Sequence, residues 1–232
     1  MPQNKNRHNE AGNVFLFILL GVVLFAALSF TIARGFRSTT TSQMSAREAD
    51  LAATEILDYA QQIERAVDRL RRRGISESEI SFDSPVWGHT DYAHGQPDSH
   101  KIFHPDGGGV SAKPTPEEWH ENKTRDWFFS SAIGIKDVGT DAAELNFLMY
   151  NVKKSICDAV NKSQGLDPET IYASPDEFSV SSSPFFRFKG AFNTPSDPNS
   201  NYLNGAPLNG NTTICIVNNG GKYHIVSALI IR

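Results

Sequence analysis

The sequence predicts an α+β protein in which a long N-terminal helix, part membrane span and part stalk, packs against a small antiparallel sheet head. Three observations carry that expectation. Residues 13–33 hold no charged side chain and only Asn13, Ser29 and Thr31 as polar members. No proline interrupts the chain from Asn13 to Ser84, so helix-compatible sequence continues well past the apolar run. Beyond residue 81 the chain turns rich in Pro, Gly, Asp and His and then offers short apolar runs of strand length.

As a helix rising ~1.5 Å per residue, residues 13–33 would extend roughly 31 Å, the thickness of a bilayer's hydrocarbon core. The chain averages conceal this, with a mean hydropathy of -0.35 and a formal charge of -4. Setting aside Lys5, Arg7 and Glu10 leaves residues 34–232 with 20 basic and 25 acidic side chains. No broad basic field exists, and nucleic acid is not an expected partner. Residues 34–232 are numerous enough for one domain with its own core.

After Arg34-Gly35-Phe36-Arg37 and a polar Ser/Thr run, Ala52, Ile56, Tyr59, Ile63, Val67 and Leu70 recur at helical spacing. The other faces carry Glu55, Asp58, Gln62, Glu64, Asp68 and Arg71, so the pattern is a single apolar stripe. Such a stripe needs cover, either from a globular head or from a second copy in a coiled coil. Arg71-Arg72-Arg73-Gly74 closes the helix, with cations at its negative end and a glycine for a left-handed cap.

In the head, Trp127 to Ile135, Leu145 to Tyr150, Phe185 to Phe192, Thr213 to Val217 and Tyr223 to Ile231 read as strands. Asn218-Asn219-Gly220-Gly221 joins the last two as a hairpin turn. Asn151 to Gln164 reads as a helix capped by Asn151 and stopped at Gly165. Cys157 falls on that helix and Cys215 on the first strand of the hairpin. Two cysteines in a chain whose bulk lies across a membrane suggest one disulfide, and two buried free thiols are the alternative. A bridge would close a loop of about 58 residues and stabilise by roughly 4 kcal/mol on the chain-entropy account.

Little in the head points to chemistry. Five of the seven histidines, His89, His94, His100, His104 and His120, lie near Asp91, Asp98 and Asp106. Imidazole and carboxylate ligate zinc, nickel or copper, so this segment is either a metal-binding or hydrolytic loop or a solvated one. No HExxH and no GxSxG occurs, and neither cysteine sits in a nucleophile motif, so no enzyme activity and no cofactor is expected. Pro105-Asp106-Gly107-Gly108-Gly109 lacks the Gly-Lys-Ser/Thr of a phosphate loop and reads as a tight turn. Asp197, Asn199 and Asn201 begin like a calcium loop, but Tyr202 stands where its glycine would and no closing acid comes after it. Asn122, Asn161 and Asn211 each open a glycosylation triplet of the kind that occurs by chance.

The N-terminus admits three readings: a cleaved secretory signal, an uncleaved anchor, or a processed leader. Glu10-Ala11-Gly12 ends a short polar leader, the apolar run begins at the next residue, and the helix pattern continues for about forty residues beyond it. This resembles type IV pilins and the pseudopilins of type II secretion systems. The resemblance implies cleavage after Gly12 by a prepilin-type peptidase, with Asn13 as the first mature residue and a target for N-methylation. It divides the chain into a leader 1–12, a transmembrane helix 13–34, a stalk helix 35–74 and an α+β head 75–232. It implies a single-pass protein of the bacterial inner membrane, its head in the periplasm or at the cell surface. The implied partners are membrane lipid and other pilin or pseudopilin subunits. In pilins a disulfide pins the C-terminal region to the sheet, a role the Cys157 and Cys215 pair would share. Some major pseudopilins hold calcium in a C-terminal loop, which a looser site at Asp197 to Asn201 would resemble. Phe17 stands where most members carry a glutamate at the fifth mature position, and Asn13 replaces their usual Phe or Met. Those departures imply a minor or tip-type subunit, or a pilin-like anchor outside any filament. The other functional class is a membrane-anchored domain with a metal-binding or hydrolytic histidine loop.

Overall fold

The computed structural model describes residues 11–84, 86, 92, 94–121, 127–135, 138–140, 143–167, 187–192, 202–203, 211–218 and 220–232. For 11–15, 30–45 and 202–203 it describes the backbone alone. Helix α1 runs Ala11–Arg72 and contributes to two compact units, Met1–Glu48 and Ala49–Arg232. In the first unit the described side chains are 16–29 and 46–48, and those of 16–29 are all exposed. Among the described residues no helix is long and apolar enough to cross a membrane.

The second unit is α+β. Strands β1 (Phe128–Ile135), β2 (Glu144–Val152), β4 (Thr213–Val217) and β5 (Tyr223–Ile230) form an antiparallel sheet in the order β1-β2-β5-β4. A two-residue strand, β3 (Tyr202–Leu203), adds to β1 in parallel. Helix α2 (Lys154–Ser163) lies between β2 and β3 in the chain.

The stripe read from the stalk sequence is the stripe the fold buries. Ala52, Ile56, Tyr59, Ile63, Val67 and Leu70 are all buried, together with Ala49, Ala53, Ala60 and Ala66 between them. These alanines alternate with the large side chains along the buried face, and Phe147 of β2 fills the interface. Its ring stacks on Trp127 at 4.8 Å and meets Tyr59 edge-on at 6.4 Å, while Tyr59 lies 5.0 Å from Trp127. Full burial of each large aliphatic side chain contributes roughly 1.5–3 kcal/mol. Packing under the head therefore covers this stripe, and no second copy is required for it.

Alternation along β2 explains why the strand is buried almost throughout. Leu145, Phe147 and Met149 join the core that holds α1, whereas Leu148 and Tyr150 join a second core with Phe128, Leu166, Ile214, Ile216, Val226 and Ala228. Successive side chains of a strand leave on opposite faces, so the central strands are buried on both. The sequence predicts a sheet that covers a helix, and a second core fills the sheet's other face.

Turn chemistry sets the last hairpin. Gly221 is left-handed at φ 70°, its N–H donates to Asn218 O at 2.9 Å, and Asn218 Oδ1 accepts from the Lys222 N–H at 2.9 Å. Gly74, at φ 88°, ends α1 two residues after Arg72, where the basic residues Arg69, Arg71 and Arg72 occupy the last turn.

Two sequence readings are corrected. Asn151 does not cap α2: it is left-handed at φ 53° within β2, and the helix begins three residues later with Lys153 as its N-cap. Pairing overrides propensity here, because Val152 is buried opposite Tyr223 and the Asn151 carbonyl accepts from Glu121 N–H. The stretch Phe185 to Phe192 is no strand where it is described; Phe188 docks singly, its N–H on Phe129 O at 2.9 Å. Phe185 and Phe186 lie outside the described residues.

Truncating the helix at its contact with the sheet tests this account. Ile63→Ala should lower the unfolding free energy by about 2–5 kcal/mol in urea melts followed by tryptophan fluorescence. The exposed Gln62→Ala should stay within about 0.5 kcal/mol of the parent.

Candidate functional site

The most unusual described surface is on α1 of the first unit. From Leu16 to Ser29 the helix carries Leu, Phe, Ile, Val, Ala, Gly and one Ser, and every large apolar side chain is at least 51% exposed. Soluble helices show an apolar stripe; a helix apolar all round needs an apolar medium or other helices around it. Gly12 and Asn13, the candidate processing residues, lie in α1, where only the backbone is described.

Cys157 and Cys215 form the disulfide, with their Cα atoms 5.3 Å apart, joining α2 to β4. Of the two sequence alternatives, the bridge is therefore the one the fold adopts. One helical turn after Cys157, Asn161 reaches the same residue of β4. Its Oδ1 accepts from Cys215 N–H at 2.8 Å and its Nδ2 donates to Cys215 O at 3.0 Å. A side-chain amide presents a donor beside an acceptor, as an extended backbone residue does, so Asn161 takes the place of a residue in an additional strand. The β4 edge is thus closed by a covalent bond and two hydrogen bonds directed at one residue. In the sequence Asn161 stands out only as the start of a glycosylation triplet, and at 3% exposure it is no acceptor for a glycan.

The opposite edge is closed similarly. Phe129 N–H donates to the Tyr92 hydroxyl at 3.1 Å and Phe129 O accepts from Phe188 N–H, while β3 pairs with Gly134 and Ile135. Open strand edges invite pairing with other chains, and these contacts occupy them.

The described histidines of this segment do not assemble a centre. His100 Nδ1 lies 3.1 Å from Gln96 Oε1, His94 Nδ1 lies 3.0 Å from Tyr92 O, and His120 Nδ1 lies 2.9 Å from Tyr150 O. His104 sits between Asp98 at 3.5 Å and Asp106 at 3.8 Å. Lys101 bonds Asp98 at 2.8 Å; with His104 it holds that exposed carboxyl below its usual range. Among the described residues no three His, Cys, Asp or Glu converge to hold a metal ion. His89 and Asp91 lie outside the described residues, as do Asp197, Asn199, Asn201 and Asn122.

The glycine-rich segment does more than turn. Only Gly109 has a positive φ, and a Cβ on Gly107 or Gly108 would overlap the carbonyl oxygens of Lys101 and Ile102. Close approach thus demands those two glycines. The segment is bound to the end of α1, where Arg69 Nη2 donates to Gly108 O and Arg73 Nη1 donates to Gly107 O at 3.1 Å. The arginine cluster therefore closes the helix and holds a loop, a second use that spacing alone does not reveal. Nearby, Tyr59 OH donates to Ser111 O and accepts from Lys113 N–H, and burial pushes its hydroxyl up to about 12.

No protein-family model, curated protein or solved structure matches this chain.

Removing the edge lock tests its role. Asn161→Ala leaves the Cys215 N–H and C=O without partners, at roughly 1–3 kcal/mol for each. Its urea midpoint should fall accordingly, and light scattering in detergent should detect concentration-dependent association beyond that of the parent. An unchanged midpoint would show that the amide does not close the edge.

Proposed function

We propose that this protein is a pilin-like or pseudopilin-like structural subunit of a bacterial envelope machine, a type IV pilus or a type II secretion system. It acts by assembly and contact and carries out no chemistry of its own. The observation that carries this reading is the change in surface along α1. Residues 16–29 expose apolar side chains all round, while Ala49 to Leu70 bury one stripe beneath a sheet. The first part requires lipid or neighbouring subunits; the second belongs to a head.

On this reading residues 1–12 are a leader removed after Gly12, and residues 13–34 hold the subunit in the inner membrane and pack against other subunits. The head, from residue 75, faces the periplasm or the cell surface. Its disulfide fits such an oxidising compartment. Phe17 in place of a glutamate supports a minor or tip-type subunit: a buried carboxylate needs a partner to be tolerated, and an aromatic ring needs none. Four residues separate it from Asn13, about one helical turn, so both would stand at the same end of the subunit's helix.

Mass spectrometry of the mature N-terminus in the native host tests the reading. The expected chain begins at Asn13, with or without an N-methyl group, and sediments with membranes. A chain beginning at Met1 or after Ala33 would overturn it.

A further inference from the structure

Glu144 opens β2 and is fully buried, as is Asn146 two residues on, on the same face of the strand. Fully buried Ser130 of β1 stands opposite Asn146. The register of β1 and β2 slips between Ser130 and Ile133, and there the two side chains replace ladder hydrogen bonds. Asn146 Nδ2 donates to Ile133 O at 2.7 Å and to Glu144 O at 3.1 Å, and Glu144 Oε2 accepts from Ile135 N–H at 2.8 Å.

Two carbonyl acceptors fix the orientation of the Asn146 amide, since only its NH2 can serve them. Its Oδ1 then faces elsewhere, buried and without a donor, and Glu144 Oε1 is buried without a donor as well. Two acceptors cannot satisfy each other. A proton on Oε1 turns one of them into a donor, and a buried acceptor left unserved is costly.

We propose that Glu144 is held as the neutral carboxylic acid, its Oε1–H donating to Asn146 Oδ1, and that this proton is a clasp on the β1–β2 bulge which opens when Glu144 ionises. Among the described residues no cation acts on the Glu144 carboxyl, and Arg187, on the segment docked along β1, lies over the Tyr92 and Phe128 rings at 5.8 and 5.7 Å. β1 carries no ionisable side chain, β2 has only Tyr150 besides Glu144, and β5 has Tyr223 and His224 at its other end. The Arg232 guanidinium is engaged by Glu77 at 3.8 Å and by the Phe192 ring at 4.2 Å. Lys136, Asp137 and Asp141 lie outside the described residues.

Burial pushes the Glu144 carboxyl from 4.5 up to about 7, with the Ile135 N–H and the residue's own backbone N–H opposing. A carboxyl raised in the folded state stabilises fully below its unfolded value and loses that contribution as pH rises through its folded value. The clasp is thus closed at pH 5 and opens above about pH 7.

Hydrogen exchange on the full chain in detergent, corrected for intrinsic pH dependence, reads the opening directly. In peptides covering β1 and β2, protection should fall on the order of 100-fold between pH 4.5 and 8, the extent a shift of this size allows. Glu144→Gln presents an NH2 where the acid presents O–H, so it should keep protection flat across that range. Identical pH profiles for the parent and Glu144→Gln would overturn the proposal, as would a profile flattened by added calcium, which would put a cation in place of the proton. Should the variant fail to fold, carboxyl 13C resonances of the parent labelled at glutamate decide. A buried glutamate titrating above about 6 supports the clasp, and all glutamates titrating near 4.5 overturn it.

Discussion

The contact between the second half of α1 and the inner face of the sheet fixes most of what surrounds it. Ile56, Ile63, Val67 and Leu70 have no exposed surface, and Tyr59 places a ring against Trp127 and Phe147. Once the helix is seated there, its end positions Arg69 and Arg73 over the glycine-rich segment, and the Tyr59 hydroxyl holds Ser111 and Lys113. Residues 101–113 are therefore ordered by the helix they cross. The two glycines at 107 and 108 are what allow that segment to fold back tightly on Lys101 and Ile102.

A helix on one face leaves the sheet with two further liabilities, its other face and its edges. The other face is met by a second core centred on Leu148, Val226 and Ile214. The edges are met by single residues. Asn161 imitates a strand at Cys215, and Tyr92 and Phe188 do the same at Phe129. The disulfide makes the first of these local, because Cys157 and Asn161 lie one turn apart on α2 and converge on one residue. Covalent closure of a long loop and non-covalent closure of an edge are thus achieved by one short helix.

How far the sequence announces this depends on the range of the cause. The stalk stripe comes from a period of 3.6 residues, and the β4–β5 hairpin comes from Asn218 to Gly221, so both are legible. The cysteine pairing is legible because two cysteines leave a single intrachain option. Asn151 misleads, since a good capping residue is drawn into β2 by the burial of Val152, a contact with a strand some seventy residues away. The roles of Asn161, Gly107 and Glu144 are hidden for the same reason. Each depends on a partner backbone that only the topology brings near, although the spacing of Cys157 and Asn161 does place the amide on the disulfide's face of α2. The candidate processing residues Gly12 and Asn13 rest on pattern alone.

On the assembly function proposed above, closing the sheet is as important as exposing the helix. An antiparallel sheet with open edges would pair indiscriminately with other copies. Asn161, Tyr92 and Phe188 remove that route at the middle of both edges, and the buried faces remove another. Among the described residues the large unsatisfied apolar surface that remains is the helix from Leu16 to Leu28. On that proposal, self-association is confined to the segment whose register a helix can define, and the head is left free to present loops.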